Sequence, residues 1–489
     1  MKVRIGRKKM LVGAALLVGV GLLASVSAQA ESSARRSGGK GVAHRNGKAV
    51  QAGSVPTAKT YSVGGHALEP TLGVTPGGDI FYAAAGFDSI GGQPGTQILR
   101  STDGGGTWEN TSPRVLDRNT MPLSLDPYVW VDDRIDGDNA RIFTIDLTVA
   151  CSYMSFSDDN GATWITNPLA CGRPVNDHQT LFSGPPVSSP TVGYPNLLYY
   201  CWNDVASSAC SKSLDGGVTF HPTGTPAFGG AEPGNEDPGF YGQNGFCGGL
   251  HGHGHVGPEG TVYLPREYCG KPMVAISHDE GRTWTQSTVS KLRSTSQPDG
   301  GAGHPSVVTD EKGNVYYLWI GAKDRLPYLA VSRDQGETWS KPMMVAPPGL
   351  KETNLPQIDA LGAGKIALVY YGSTNSPFPR CKDECETKDY EPTTWNGYLT
   401  ISADALTKNP VFRTGTVNNS ADPLIRARCG PGRCHWAYDF IDVEIGPDGI
   451  AYGAFVDGCM DMCVKDRMAA RAGEYEGLVT KLVGGPRLK

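Results

Sequence analysis

The chain has 489 residues, with 65 Gly, 35 Pro, 19% charged residues and a formal net charge of −5. Gly and Pro together run well above the roughly 12% of average chains, which excludes a helical bundle or coiled coil and points to many short strands joined by tight turns. The mild negative charge offers no electrostatic footprint for nucleic acid.

Residues 1–30 have the make-up of a signal peptide. Lys2, Arg4, Arg7, Lys8 and Lys9 form a basic start, Leu11 to Val26 an apolar run, and Ala28-Gln29-Ala30 a small-x-small cleavage site. The run is slightly short for a membrane span, and no second run of that kind follows. A secreted, extracellular protein is therefore expected, with no membrane attachment after cleavage. Residues 31–57 are polar, basic and without period, and are expected to form a disordered leader. The remainder, 58–489, carries repeats.

One octet recurs as Ser101-Thr-Asp-Gly-Gly-Gly-Thr-Trp108, Ser157-Asp-Asp-Asn-Gly-Ala-Thr-Trp164 and Ser213-Leu-Asp-Gly-Gly-Val-Thr-Phe220. It returns as Ser277-His-Asp-Glu-Gly-Arg-Thr-Trp284 and Ser332-Arg-Asp-Gln-Gly-Glu-Thr-Trp339, and Ser402-Ala-Asp404 is a degenerate sixth. The pattern S-x-D-x-G-x-T-[WF] predicts a hairpin. The Asp accepts backbone N–H groups across the turn, the Gly supplies a positive φ, and Thr and Trp start the returning strand, where they can pack on a neighbouring unit. A residue needed by every unit serves folding, so these Asp residues are read as structural.

Before each octet stands an apolar strand, a Gly turn and an aromatic-rich strand, as in Pro70-Thr-Leu-Gly-Val…Gly78-Asp-Ile-Phe-Tyr82 and Pro305-Ser-Val-Val…Gly313-Asn-Val-Tyr-Tyr317. Further copies begin near Pro127, His178, His251, Pro356 and Phe440, which makes seven units. Each unit reads as a four-stranded antiparallel sheet, and radially repeated sheets of this kind make a β-propeller. The expected fold is thus all-β, a seven-bladed β-propeller of four-stranded antiparallel blades. The last unit shows three strands, and Lys59-Thr-Tyr-Ser-Val63 is a lone strand able to complete it and close the ring.

All 12 cysteines lie beyond the export segment, as befits an oxidising compartment. They fall into near neighbours: Cys151/Cys171, Cys201/Cys210, Cys247/Cys269, Cys381/Cys385, Cys429/Cys434 and Cys459/Cys463. Sequential disulfides are the natural expectation, although spacing alone leaves the connectivity open. The C-x3-C and C-x4-C pairs, with His435 beside Cys434, do not sit at zinc-finger spacing. No metal and no cofactor are expected.

The octet resembles the Asp-box, or BNR repeat, of sialidase-like propeller proteins, and the likeness covers essentially all of residues 58–489. As a class such propellers include sialidases, other glycoside hydrolases, polysaccharide lyases and non-catalytic binding proteins, so the resemblance implies the fold more than the activity. Sialidases carry Arg-Ile-Pro on the first innermost strand. Here the matching run is Leu68-Glu69-Pro70, and an acid there would repel a carboxylate substrate. Sialidases are also usually six-bladed. Both departures argue against sialidase activity itself.

Propeller ligands sit over the central channel, so the residues preceding each innermost strand are the candidates. They are Glu69, Asp126, Asp177 with His178, His251, His304, Asn354 and Asp439. Facing the axis, they would ring one channel mouth with carboxylates and imidazoles, able to act as general acid or base. The competing reading is that each carboxylate caps backbone N–H groups at the start of its blade. In Gly248-Gly-Leu-His-Gly-His-Gly-His255 three His alternate with Gly, so an extended strand turns all three to one side. Arg266 is either an anchor for a substrate carboxylate or a partner of Glu267.

The expected catalytic set is Asp126, Asp177, His251 and His304, with Glu69, Arg266 and Asp439 binding substrate. The function expected is that of a secreted glycoside hydrolase acting on extracellular carbohydrate. A lyase acting on a uronate-containing glycan and a non-catalytic propeller binding a protein or cell-surface glycan are the alternatives. The partner is carbohydrate, not nucleic acid or membrane, and the protein is expected to be a monomer.

Overall fold

The computed structural model describes residues 36–489 except position 66 and the segments 86–95, 114–125, 133–139, 149–150, 169–175, 205–206, 230–248, 296–303, 377–392, 428–438 and 461–474. The expected signal peptide, and Cys171, Cys247, Cys381, Cys385, Cys429, Cys434, His435 and Cys463, lie outside the described residues. The described residues belong to one compact unit, Ser32–Lys489. Every regular element among them is a strand, and no helix among them is long and apolar enough to cross a membrane.

The strands form seven antiparallel sheets. Blade one is Leu68–Val74, Ile80–Ala85, Gln97–Ser101 and Glu109–Asn110. Blade two is Tyr128–Asp132, Arg141–Thr148, Cys151–Ser157 and Ile165–Pro168, and blade three is Asp177–Gly184, Leu197–Asn203, Ser208–Ser213 and His221–Pro222. Blade four is His255–Val256, Val262–Tyr268, Lys271–Ser277 and Thr285–Thr288, and blade five is Ser306–Thr309, Val315–Ile320, Pro327–Ser332 and Met343–Met344. Blade six is built on Glu352–Ala360, Ile366–Ser373, Thr393–Ser402 and Phe412–Thr416. Blade seven is Asp442–Ile445, Ala451–Asp457, Glu476–Val483 and, from the other end of the chain, Thr57–Ser62. The first strand of each blade touches the first strands of its neighbours in chain order, and that of blade seven touches that of blade one. These are the inner strands of a closed propeller.

The polar stretch before residue 58 corrects the expectation of a disordered leader. Arg36–Lys40 pairs with Thr57–Ser62 on the outside of blade seven, and Val42–Arg45 pairs with Phe412–Thr416 on the outside of blade six. Outer strands present unpaired N–H and C=O groups, and a chain that covers them gains a ladder at little cost in burial. His44 fixes this arm: it is fully buried, stacks on Phe412 and meets Thr414 Oγ1 at 2.7 Å.

The octets form the hairpin between the third and fourth strands. In each of the five, Asp Oδ1 accepts the Ser hydroxyl and the Thr backbone N–H, the latter at 2.8–2.9 Å. The Ser oxygen in turn accepts the N–H of the box Gly. The residue after the Asp also takes positive φ, at 59° for Asn160, 60° for Glu280 and 58° for Gln335. Two of the box Trp residues reach the preceding blade: Trp164 Nε1 donates to Thr111 O at 2.6 Å, and Trp339 Nε1 to Ser287 Oγ at 3.0 Å. Hydrophobic clusters then fill the space between blades. One joins Phe182 and Tyr199 of blade three to Leu264 and Ala275 of blade four.

At the hub, adjacent inner strands are stitched by side chains rather than by a backbone ladder. Val129 N–H donates to Thr71 Oγ1, His178 N–H to Asp126 Oδ2, Gly254 N–H to Thr180 Oγ1, Ile445 N–H to Asp359 Oδ2 and Leu72 N–H to Asp442 Oδ2, at 2.7–3.2 Å. Inner strands splay as the blades fan out, so only a side chain spans the gap, and a buried N–H left unmet would cost about 1–3 kcal/mol.

Candidate functional site

The site candidates lie where the inner strands begin. Three of these strands start with the same bulge: the register slips between Leu68 and Thr71, between Asp177 and Thr180, and between Asn354 and Gln357. At the bulge Glu69, His178 and Leu355 take φ of 50°, 49° and 52°. The equivalent hub residues are therefore Glu69, His178 and Leu355. This corrects two expectations. Asp177 is half-exposed and its carbonyl accepts Asn203 Nδ2, so His178 takes the hub position in its place. Asn354 gives way to Leu355, whose backbone N–H it accepts at 2.9 Å. Leu355 packs in the apolar cluster of blades six and seven. The sequence does not announce the bulge, because none of the three positions is Gly.

Three carboxylates and three imidazoles thus stand on consecutive blades. Glu69, Asp126 and Asp439 come from blades one, two and seven, and their side-chain oxygens lie within 4.8 Å of one another. Asp126 Oδ2 accepts the His178 N–H at 2.9 Å, and Glu69 Oε1 accepts the Asp439 N–H at 3.2 Å. Both carboxylates therefore cap a neighbouring blade, which is the structural role weighed above. On the other side, the rings of His178 and His304 have centroids 4.0 Å apart, and those of His178 and His251 6.2 Å. None of the six side chains is more than 5% exposed. The spacing of the three carboxylates would let one cation take an oxygen from each; Glu69, Asp126 and Asp439 are the residues that could hold a metal.

His251 has a definite proton arrangement. Its Nδ1 lies 2.9 Å from Gly252 O. A carbonyl only accepts, so Nδ1 carries the hydrogen and Nε2 keeps its lone pair. Burial pushes its pKa down to about 3, and Nε2 has no hydrogen-bond partner. It is a buried, neutral imidazole, and the burial that keeps it neutral also makes it a weak base.

The other two histidines of the Gly-His alternation follow it down the hub. His253 stacks on His178 at 5.8 Å and meets Phe440 at 5.4 Å and Tyr128 at 4.7 Å. His255 meets Trp130 at 6.5 Å and Thr309 Oγ1 at 3.0 Å. The glycines between them are required by close approach: a Cβ on Gly252 would stand 1.9 Å from Pro305 O, and one on Gly254 2.2 Å from the Phe182 ring. The part of His253 and Phe440 in the hub was not read from sequence; for His253 the alternation itself was the signal.

Arg266 is held between blades three and four. Its backbone faces His251 in an isolated bridge, its Nη1 donates to Ser208 Oγ at 2.9 Å, and its guanidinium lies over Phe228 and Tyr268 at 5.6 and 5.4 Å. Burial lowers its pKa to about 10, and it remains a cation.

Residues 330–341 match the BNR/Asp-box repeat. No curated protein matches the chain in sequence. Among solved structures, the Hadza microbial sialidase Hz136 is 18% identical with a TM-score of 0.41, covering 67% of this chain and 69% of its own. The α-L-arabinofuranosidase Arb93A from Fusarium graminearum is 14% identical with a TM-score of 0.41, covering 72% and 92%. The Aleuria aurantia lectin AAL is 10% identical with a TM-score of 0.40, covering 69% and 93%. Likenesses this distant carry no argument about activity, and the architecture rests on the strand pairing itself. Five hydrogen-bonded boxes thus stand between the third and fourth strands of the first five blades of a β-propeller, and the fifth of them matches the BNR/Asp-box repeat.

Proposed function

We propose that the protein is an exported, glycan-active enzyme, a glycoside hydrolase that works at the carboxylate and imidazole ring of the hub. The observation that carries this reading is the approach of Glu69, Asp126 and Asp439 within 4.8 Å. Glycoside hydrolysis needs two carboxyl groups, one protonated to pass its proton to the leaving oxygen, the other ionised to attack the anomeric carbon or activate a water. Carboxylates this close cannot all be ionised at ease, so the cluster favours holding a proton. Their separation is nearer the roughly 5–5.5 Å of retaining enzymes than the roughly 6.5–9.5 Å of inverting ones. Asp126 and Glu69 are assigned the acid and nucleophile roles, with Asp439, His178 and His304 orienting the sugar. Asp177 is left out of the catalytic set. The expected export segment 1–30 and the disulfides support a reaction outside the cell.

Two other readings have an observation each. His251, a neutral imidazole bridged through its backbone to Arg266, offers the residue pair that a uronate lyase would use for proton abstraction and carboxylate binding. The depth of the ring suits a non-catalytic glycan binder. Incubating the purified protein with a panel of polysaccharides, with both reducing-end and unsaturated-uronate readouts, separates the three. New reducing ends without unsaturation that vanish in Asp126→Asn support the hydrolase. Unsaturated products that vanish in His251→Ala support the lyase, and binding without products supports the binder.

A further inference from the structure

Between Arg36–Lys40 and Thr57–Ser62, both strands of the blade-seven sheet, the chain makes an excursion onto blade six. Val42–Arg45 joins that blade through three residue pairs, Val42 with Thr414, Ala43 with Arg413 and His44 with Phe412. Lys48–Ala49 then folds back on Val42–Arg45. Across 41–49 only Ala43 and His44 are buried. The turn between the two strands sits close over blade five, where a Cβ on Gly47 would stand 2.2 Å from Met344 Cε. Residues 41–49 are thus a strap tethered at both ends and held down by one large side chain, the ring of His44.

The hydrogen bonds behind His44 fix its proton. Tyr370 OH donates to Val345 O at 3.3 Å, since a carbonyl only accepts. Tyr370 then accepts from Thr400 Oγ1 at 3.0 Å, Thr400 from Thr414 Oγ1 at 2.7 Å, and Thr414 from His44 Nε2 at 2.7 Å. Nε2 therefore carries the hydrogen, and Nδ1 keeps a lone pair that is buried and meets no partner. A second proton would put a charge and an unmet N–H at Nδ1, in a place closed to water, at a high cost. Among the described side chains around it, Arg45 and Lys48 on the strap, Arg413 beside Phe412 and Lys59 on blade seven are cations. Asp404 accepts the Ser402 hydroxyl and the Val411 N–H, and Met343 and Met344 of blade five carry no charge. Burial alone pushes the pKa of His44 down to about 4.

We propose that residues 41–49 are an acid-released strap, closed while His44 is neutral and open, with the edge Phe412–Thr416 bare, once the ring takes a second proton. A detached strap leaves the imidazole in water, where its ordinary pKa is about 6.5. The closed state is therefore fully stable above that value and loses stability as pH falls from there towards 4. The opening constant rises about 30-fold between pH 7.5 and 5. The bared edge offers its N–H and C=O groups to another strand. This device lies on the outer rim and is independent of the glycan reading.

The test is hydrogen–deuterium exchange of the full protein at pH 7.5 and 5, corrected for the pH dependence of the intrinsic rate. Protection over 41–49 should fall about 30-fold at pH 5, while Ile366–Ser373 in the same blade keeps its protection. His44→Phe, which keeps a stacked ring, and His44→Gln, which keeps a donor for Thr414, should each hold the strap closed at both pH values. Should both variants leave it open throughout, NMR titration of the His44 ring in the wild type decides, since the ring must protonate in step with the loss of protection. Equal protection of the wild type at both pH values, a fall that persists in either variant, loss of protection in Ile366–Ser373 along with the strap, or a ring that stays neutral while the strap opens would each overturn the proposal.

Discussion

His178 and His304 stand on the inner strands of blades three and five, and their rings meet with centroids 4.0 Å apart. The contact reaches past blade four, whose His251 and His253 both abut His178. A closed ring of blades does this to residues 126 positions apart in sequence, because it brings the starts of all inner strands to one axis.

If the ring is the working site, His304→Ala lowers glycan turnover or binding by tenfold or more, about 1.4 kcal/mol, while the thermal midpoint moves by no more than about 2 °C. Activity assays and calorimetry on the same preparation check both halves. Loss of fold with loss of activity would assign His304 to the hub's structure, and normal activity would move the site elsewhere.

Burial of Asp442 and His253 sets a pH dependence of stability. Burial pushes the Asp442 carboxyl up to about 7, and the Asp359 charge adds to this, against the N–H groups of Leu72 and Val443. A folded pKa above the unfolded value means that the folded state binds the extra proton. Its contribution is full below about pH 4 and is lost as pH rises to 7. Asp442→Asn should therefore gain stability relative to wild type as pH is raised from 4 to 8. For His253, burial pushes the pKa down to about 3. Here the unfolded state binds the extra proton, so stability is lost as pH falls below about 6.5, and His253→Gln should flatten that loss. Unfolding midpoints across this range measure both slopes.

Asp279 and Glu280 are adjacent in one box and should respond very differently. Asp279→Ala removes hairpin bonds from Ser277 and Thr283 at the surface, costing roughly 1–3 kcal/mol with activity per folded molecule unchanged. Glu280 is fully buried, pairs with Lys212 at 2.8 Å and accepts the N–H groups of Val187, Ser188 and Ser189. Glu280→Ala strands that cation and those donors, so a loss of about 3–5 kcal/mol is expected. Denaturant titration of the two variants checks the order; a costlier Asp279→Ala would reverse it.

Cys201 and Cys210 are opposite one another on adjacent strands of blade three and are joined, and Cys269 and Cys459 are also disulfide-bonded. Thiol titration of the denatured, unreduced protein should find no more than about four free thiols, as at least four sequential disulfides require. Eight or more would refute the expected framework.

The octets made the hairpins legible, because Ser, Asp, Gly and Thr at fixed offsets satisfy one turn by themselves and need no tertiary partner. The unit period and the lone strand around Tyr61 likewise followed from local pattern. That Glu69, Asp126, His251, His304 and Asp439 belong at the hub could be read from their place before each inner strand. Local pattern failed where the chain departs from regular geometry. The bulge that turns His178 inward instead of Asp177, and Leu355 instead of Asn354, depends on how a strand fits between its two neighbours. Residues 36–49 look like solvent-seeking chain, yet they form strands because the outer edges of blades six and seven offer unpaired backbone. Asp359 and Asp442 lie on inner strands whose alternation predicts only burial, and His253 stands just ahead of one. Which buried groups share one space is decided by the closure of the ring, since it sets the distances between residues that no local periodicity connects.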